Sequence, residues 1–172
     1  SAEIIQGAER LERVMGKSCS FRILASGFRF LEGPVWDPGN SRLIFSDIPG
    51  NALYQWSERG GVAMIKPNSY LANGNALDSR GRLLTCEHGT SRVSMTDVDG
   101  TYVVLADRWN DQALNSPNDI IVGPSGDVYF TDPMPGRCAR VGIPRPAGLP
   151  FQGVFRINRR TSELILLTKD MA

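Results

Sequence analysis

Apolar and polar residues alternate in short runs from residue 21 almost to the C-terminus, and Gly, Pro, Asn or Asp closes each run. Alternation with a period of two marks a half-buried strand, and clusters of those four residue types mark the turns between strands. The pattern predicts a strand in "FRILASGF" (21–28) and strands on both sides of the turn in "GPVWDPGNSRLIFSDI" (33–48). Further strands are predicted in "ALYQWS" (52–57), "GVAMIK" (61–66), "SRVSMTD" (91–97) and "TYVVLAD" (101–107). Strand–turn–strand units recur in "GNALDSRGRLLTCEH" (74–88) and "DIIVGPSGDVYFTDP" (119–133), followed by "GVFRINR" (153–159) and "ELILLTK" (163–169). Ahead of all these, "AEIIQGAERLERVM" (2–15) places Ile5, Ala8, Leu11 and Met15 on one helical face, with Gly16 as a stop. The expected fold is all-β, with an N-terminal helix or extension over 1–20 and one strand-rich domain over 21–172.

The strand units repeat. With Asp37, Asp78 and Gly123 aligned at the turn, Glu32, Asn73 and Asn118 coincide five residues earlier, at spacings of 41 and 45. Ser46, Cys86 and Thr131 then align, as do Asp47, Glu87 and Asp132. A period of about 40–45 residues with four strands per unit is that of a β-propeller blade. The first strand of a blade lines the central channel, so Glu32, Asn73 and Asn118 are expected at equivalent places around one axis. A purely structural repeat would accept small or apolar residues there; this one carries a carboxylate and two amides. Trp36 and Phe130 are expected in the core. The 142 residues from Leu31 onward give about three blades, whereas propellers close with about four to eight. The chain is therefore expected to be an incomplete propeller, a fragment or half a ring, and its open edges make self-association possible.

Composition narrows the function classes. A formal net charge of +1 favours neither nucleic acid nor an anionic membrane surface. No apolar run is long enough to span a bilayer. Cys19, Cys86 and Cys138 are odd in number and lack metal-type spacing, so reduced thiols and a cytoplasmic setting are expected. There is no G-x-S-x-G motif and no Cys/His arrangement that would signal a covalent nucleophile.

Three stretches together carry a resemblance: "FLEGPVWDPGNSRLIFSDIPGNALYQW", "LANGNALDSRGRLLTCEHGTSRV" and "LNSPNDIIVGPSGDVYFTDP". In this order they resemble the gluconolactonase branch of the senescence marker protein/gluconolactonase (regucalcin-like) family, over about residues 21–170. The resemblance implies a six-bladed propeller with one divalent cation in its channel, hydrolysing sugar lactones such as glucono-1,5-lactone. It implies Glu32 as a metal ligand and Asn118 as a ligand or substrate contact, with the remaining ligands and the general base beyond residue 172. The family segment "TDPPYG" reads "TDPMPG" here, so its tyrosine is missing.

The residues themselves keep alternatives open. Glu32 is a metal ligand or a solvated turn residue. Asn118 is a ligand, a substrate contact or a turn cap; Asn73 is a substrate donor or blade scaffolding. His88 (the only histidine) and Asp132 contact substrate or stabilise turns. Carboxylate and amide oxygens suit calcium first, with magnesium, manganese or zinc also able to bind. The long Gly136–Gly153 stretch, with Arg137, Arg140 and Arg145, is a lid or a solvated insertion. Metal-assisted lactone hydrolysis is the leading expectation. A phosphotriesterase on the same metal site and a non-catalytic binding propeller are the rivals, and a third reading is a fragment inert by itself from a parent that is an enzyme.

Overall fold

The computed structural model describes Arg13 and residues 22–170. The helix expected over 2–15 lies outside the described residues, save Arg13, which is helical. Three four-stranded antiparallel sheets follow in sequence. The first contains β1 (Leu31–Asp37), β2 (Arg42–Asp47), β3 (Ala52–Ser57) and β4 (Gly61–Pro67). The second contains β5 (Ala72–Leu77), β6 (Leu83–Glu87), β7 (Arg92–Thr96) and β8 (Tyr102–Ala106). A small hairpin, β9 (Arg108–Trp109) with β10 (Gln112–Ala113), leads into the third. That sheet contains β11 (Ile120–Val122), β12 (Val128–Asp132), β13 (Gly153–Ile157) and β14 (Leu164–Thr168). Each sheet is a simple meander, and β5 packs against both β1 and β11, so the first strands of the three sheets lie side by side. These are three blades of a β-propeller.

The first two blades use the same turn chemistry. Asp37 accepts bonds from the Asn40 backbone N–H (3.2 Å) and from Arg42 Nε (2.8 Å). Asp78 accepts from the Arg80 and Arg82 backbone N–H groups (2.8 and 3.0 Å) and from Arg82 Nε (2.7 Å). Burial acts to raise both carboxyl pKa values, but these bonds outweigh it and hold both below the ordinary range. In the third blade Gly123 replaces the acid, and its N–H bonds to the Asp127 carbonyl across the turn at 2.8 Å.

Aligned acids at the other end anchor each blade. Asp47 accepts from the backbone N–H groups of Arg29, Phe30 and Gly50. Glu87 accepts from Thr90, Ser94 and Tyr102 hydroxyls. Asp132 accepts from the Asn115 backbone N–H at 2.7 Å.

Between blades two and three lies an apolar core that includes Leu84, Cys86, Val93, Ile120, Phe130 and Phe155. Phe130 and Phe155 stack with centroids 5.4 Å apart. Phe130 is thus in the core as expected, but Trp36 is not: it is 51% exposed on the first blade. "FRILASGF" also departs from expectation, because residues 22–30 form no strand. No strand edge pairs with this segment. It lies on blade one through Phe28, which packs edge-on against Phe45 and Tyr54, and through its backbone bonds to Asp47.

Glycine sets how closely neighbouring blades approach. Pairing registers shift between Glu32 and Val35 in β1 and between Ala72 and Asn75 in β5. Gly33 lies in the first irregularity at φ +56°. A Cβ there would meet the Asn73 carbonyl oxygen at 2.0 Å. A Cβ at Gly74 would meet the Asn118 carbonyl oxygen at 2.5 Å, and the Gly74 N–H bonds to that same oxygen at 2.8 Å. We expect Gly33→Ala to destabilise the chain by more than the roughly 1–3 kcal/mol of backbone strain alone, seen as a lowered melting midpoint. Gly81→Ala is the control, since φ is also positive (+76°) but nothing lies within 4 Å. Equal losses in the two variants would show that close blade approach is not what Gly33 serves.

Candidate functional site

Asn73 and Asn118 stand at the entry to the first strands of blades two and three, one residue before Gly74 and Asp119. His88 follows β6 and is fully buried. Its Nε2 meets the side-chain nitrogens of Asn73 (3.1 Å) and Asn118 (3.3 Å). Its Nδ1 lies 2.8 Å from the Val141 carbonyl oxygen. A carbonyl can only accept, so Nδ1 carries the proton and Nε2 presents a lone pair to both amide NH2 groups. The imidazole thus joins two blades and the long loop before β13.

Burial lowers the His88 pKa below its ordinary value. The Val141 bond and the Glu32 carboxylate oppose that shift, and the Arg145 charge adds to it. The ring is therefore neutral at pH 7. Glu32 is itself exposed, and its carboxylate takes only a 3.3 Å bond from the Gly33 N–H. The structure thus brings Asn73, Asn118 and His88 to one place, with Asn73 buried and Asn118 half-buried, and the Glu32 charge acts on His88.

A buried polar network fixes the Asn73 backbone. Ser46 Oγ donates to the Asn73 carbonyl at 2.7 Å. Asn75 Nδ2 donates to the Gly33 carbonyl (2.9 Å), to Ser46 Oγ (2.8 Å) and to the Asn73 carbonyl (3.0 Å). Thr85 Oγ1 donates to Asn75 Oδ1 at 3.0 Å. Blades one and two are thereby joined directly beneath the ring residues.

The loop between β12 and β13 is latched down. Arg137 donates from Nε to the Asn115 carbonyl (2.7 Å) and from Nη2 to the Leu114 carbonyl (2.5 Å). Arg145 Nη2 donates to the His88 carbonyl and to Ser91 Oγ (2.8 Å). Asn115 Oδ1 accepts from the Gly148 and Leu149 N–H groups at 3.0 and 3.1 Å. Sequence reasoning noted the arginines here but missed Val141, which acts through a backbone atom that any residue could supply.

Asp132 belongs elsewhere. It is fully buried, bonded to the Asn115 N–H, and its Oδ1 has no hydrogen-bond partner among the described residues. It shares a repeat slot with Asp47 and Glu87, which likewise bind nearby backbone and hydroxyl groups, and it does not join the His88 group.

The donor set fits a hard cation. Among the described residues no three His, Cys, Asp or Glu side chains cluster as a metal site. A carboxylate flanked by amide oxygens is the oxygen chemistry that calcium and magnesium prefer. With both amide nitrogens turned to His88, no hydrogen bond from the described residues reaches either Oδ1. Glu32 and Asn118 could supply two ligands, and water or other groups the rest.

Residues 30–171 match the profile described as the SMP-30/Gluconolactonase/LRE-like region. A gluconolactonase of Zymomonas mobilis subsp. mobilis is 29% identical over 170 residues, 91% of this chain and 48% of the relative. The solved gluconolactonase of Xanthomonas campestris is 34% identical, with a TM-score of 0.81 over 85% of this chain and 49% of that one. A regucalcin structure from Agrobacterium tumefaciens shares the fold at 16% identity and a TM-score of 0.66, over 88% of this chain and 48% of that one. The chain spans about half the length of these relatives.

Burial raises the Asp132 pKa to about 6, against lowering by the Asn115 and Ser116 backbone bonds and the Arg137 charge. A folded value above the unfolded 3.8 gives a contribution to stability that is complete below pH 3.8 and lost as pH rises through about 6. Asp37 and Asp78, held low, act in the opposite sense and only in more acid solution. The lowered His88 pKa acts in the opposite sense in the same window, so the measurement is the difference between variant and wild type. We expect Asp132→Asn to gain stability relative to the wild type as pH rises from about 4 to 7, each pK unit being worth about 1.4 kcal/mol. A difference that stays constant across that window would contradict this.

Proposed function

The chain belongs to the SMP-30/gluconolactonase/LRE-like family, and from that premise we propose that it serves hydrolysis of sugar lactones such as glucono-1,5-lactone to the aldonic acid. Glu32 and Asn118 would hold one divalent cation, calcium by preference. When bound, that cation would act as a Lewis acid on the lactone carbonyl and on the negative charge that develops during attack by water. Asn73 and Asn118 would orient the sugar through its hydroxyls.

His88 is neutral, and its one lone pair is engaged by both amides, so its work is positional. Asp132 is fully buried and accepts from the Asn115 N–H. No general base is assigned among the described residues, and none of them is placed as a covalent nucleophile. The observation that supports the proposal is the meeting of the Asn73 and Asn118 amides at His88, from matched positions of successive blades, in a chain of this family.

The test is hydrolysis of glucono-1,5-lactone by the protein in its full length, followed by pH-stat with calcium, with chelator, and after Glu32→Gln. The expected result is a rate above the spontaneous one that falls by about 100-fold or more under either treatment. That is the scale of losing Lewis-acid stabilisation worth several kcal/mol. A rate no greater than the spontaneous one with every divalent ion tried would overturn the proposal.

A further inference from the structure

We propose that His88 is a positioning residue whose Nε2 lone pair captures the NH2 groups of Asn73 and Asn118 and so presents both amide oxygens outward to an incoming ligand. Its functional meaning rests on the metal-site proposal above; its geometry does not.

An asparagine amide is nearly symmetric in shape, and only its hydrogen-bond partners decide which end faces where. On an exposed ring, water can serve both ends, and the two orientations would compete. Here one face is closed by a fully buried imidazole. Rotating either amide by a half-turn would set Oδ1 against the Nε2 lone pair, two acceptors in contact. The one lone pair is shared by two donors, consistent with contacts of 3.1 and 3.3 Å.

The tautomer is in turn fixed from the loop. Val141 accepts from Nδ1 at 2.8 Å, and the opposite tautomer would bring two acceptors together there as well. Arg145 holds the same loop against the His88 carbonyl and Ser91. Orientation therefore passes from Val141 to His88 and on to residues of two separate blades. Groups behind a ligand that fix its orientation are typically worth about 10–100-fold in metal affinity.

His88 is the only histidine, so a long-range proton–nitrogen NMR spectrum reports its tautomer without ambiguity. The expected result is the Nδ1–H form; the Nε2–H form would overturn the inference whatever the chain binds. Calorimetric titration with calcium then measures the consequence. His88→Leu, which removes the acceptor, should weaken calcium binding by about 10–100-fold. His88→Gln, which keeps an acceptor at the end of the side chain, should lose less.

A carboxylate has two oxygens and no wrong orientation. Asn118→Asp should therefore improve calcium affinity more in the His88→Leu background than in the wild type, by about tenfold for a coupled pair. Equal gains in both backgrounds, or a folded His88→Leu variant with unchanged affinity, would contradict the positioning role. If His88→Leu fails to fold, the wild-type tautomer and His88→Gln decide the matter. No calcium binding by a wild-type chain in the Nδ1–H form would count against the metal site and leave the positioning of the amides intact.

Discussion

The backbone of one blade approaches the first strand of the next more closely than a side chain allows, and the site depends on that approach. Gly33 and Gly74 face the carbonyl oxygens of Asn73 and Asn118, where a Cβ would sit only 2.0–2.5 Å away. Each glycine directly follows a ring residue, Glu32 or Asn73. The contact that joins neighbouring blades therefore also sets the positions of the polar residues that precede these glycines. Fold and site share these residues, and a substitution that pushed the blades apart would also spread the oxygen donors.

The second level of organisation is polar and buried. Ser46, Asn75 and Thr85 bond to one another and to the Gly33 and Asn73 carbonyls, so the backbone beneath the ring has partners for its buried acceptors. Satisfied networks of this kind specify one arrangement, because any shift would leave a buried polar group without a partner. Val141, His88 and the two amides form a shorter relay that ends on amide oxygens bonded to none of the described residues. The long loop thus belongs to the site's scaffold, with Arg137 and Arg145 as its anchors.

Much of this was legible in the sequence, since the period-two pattern and the repeat both follow from local chemistry. The alignment of Asp37 with Asp78 found the turn acids, and that of Asn73 with Asn118 picked out two amides that meet at His88. Other features escaped because they depend on what a residue meets rather than on what it is. Trp36 is apolar yet half exposed on β1. "FRILASGF" (21–28) has the pattern of a strand, but its described residues pair with none. The β9–β10 hairpin is too short to show a period. His88 shared a pattern with turn-stabilising residues, and only the fold shows its ring lying between two amides. Val141 left no trace, because its contribution is a carbonyl oxygen.

The most direct measurement is a crystal structure of the chain soaked in calcium. The expected result is one ion on the propeller axis, bound by a Glu32 carboxylate oxygen and by Asn118 Oδ1 at about 2.3–2.6 Å. An ion bound away from Glu32, or an Asn118 amide presenting its nitrogen to the channel, would contradict the proposed metal centre.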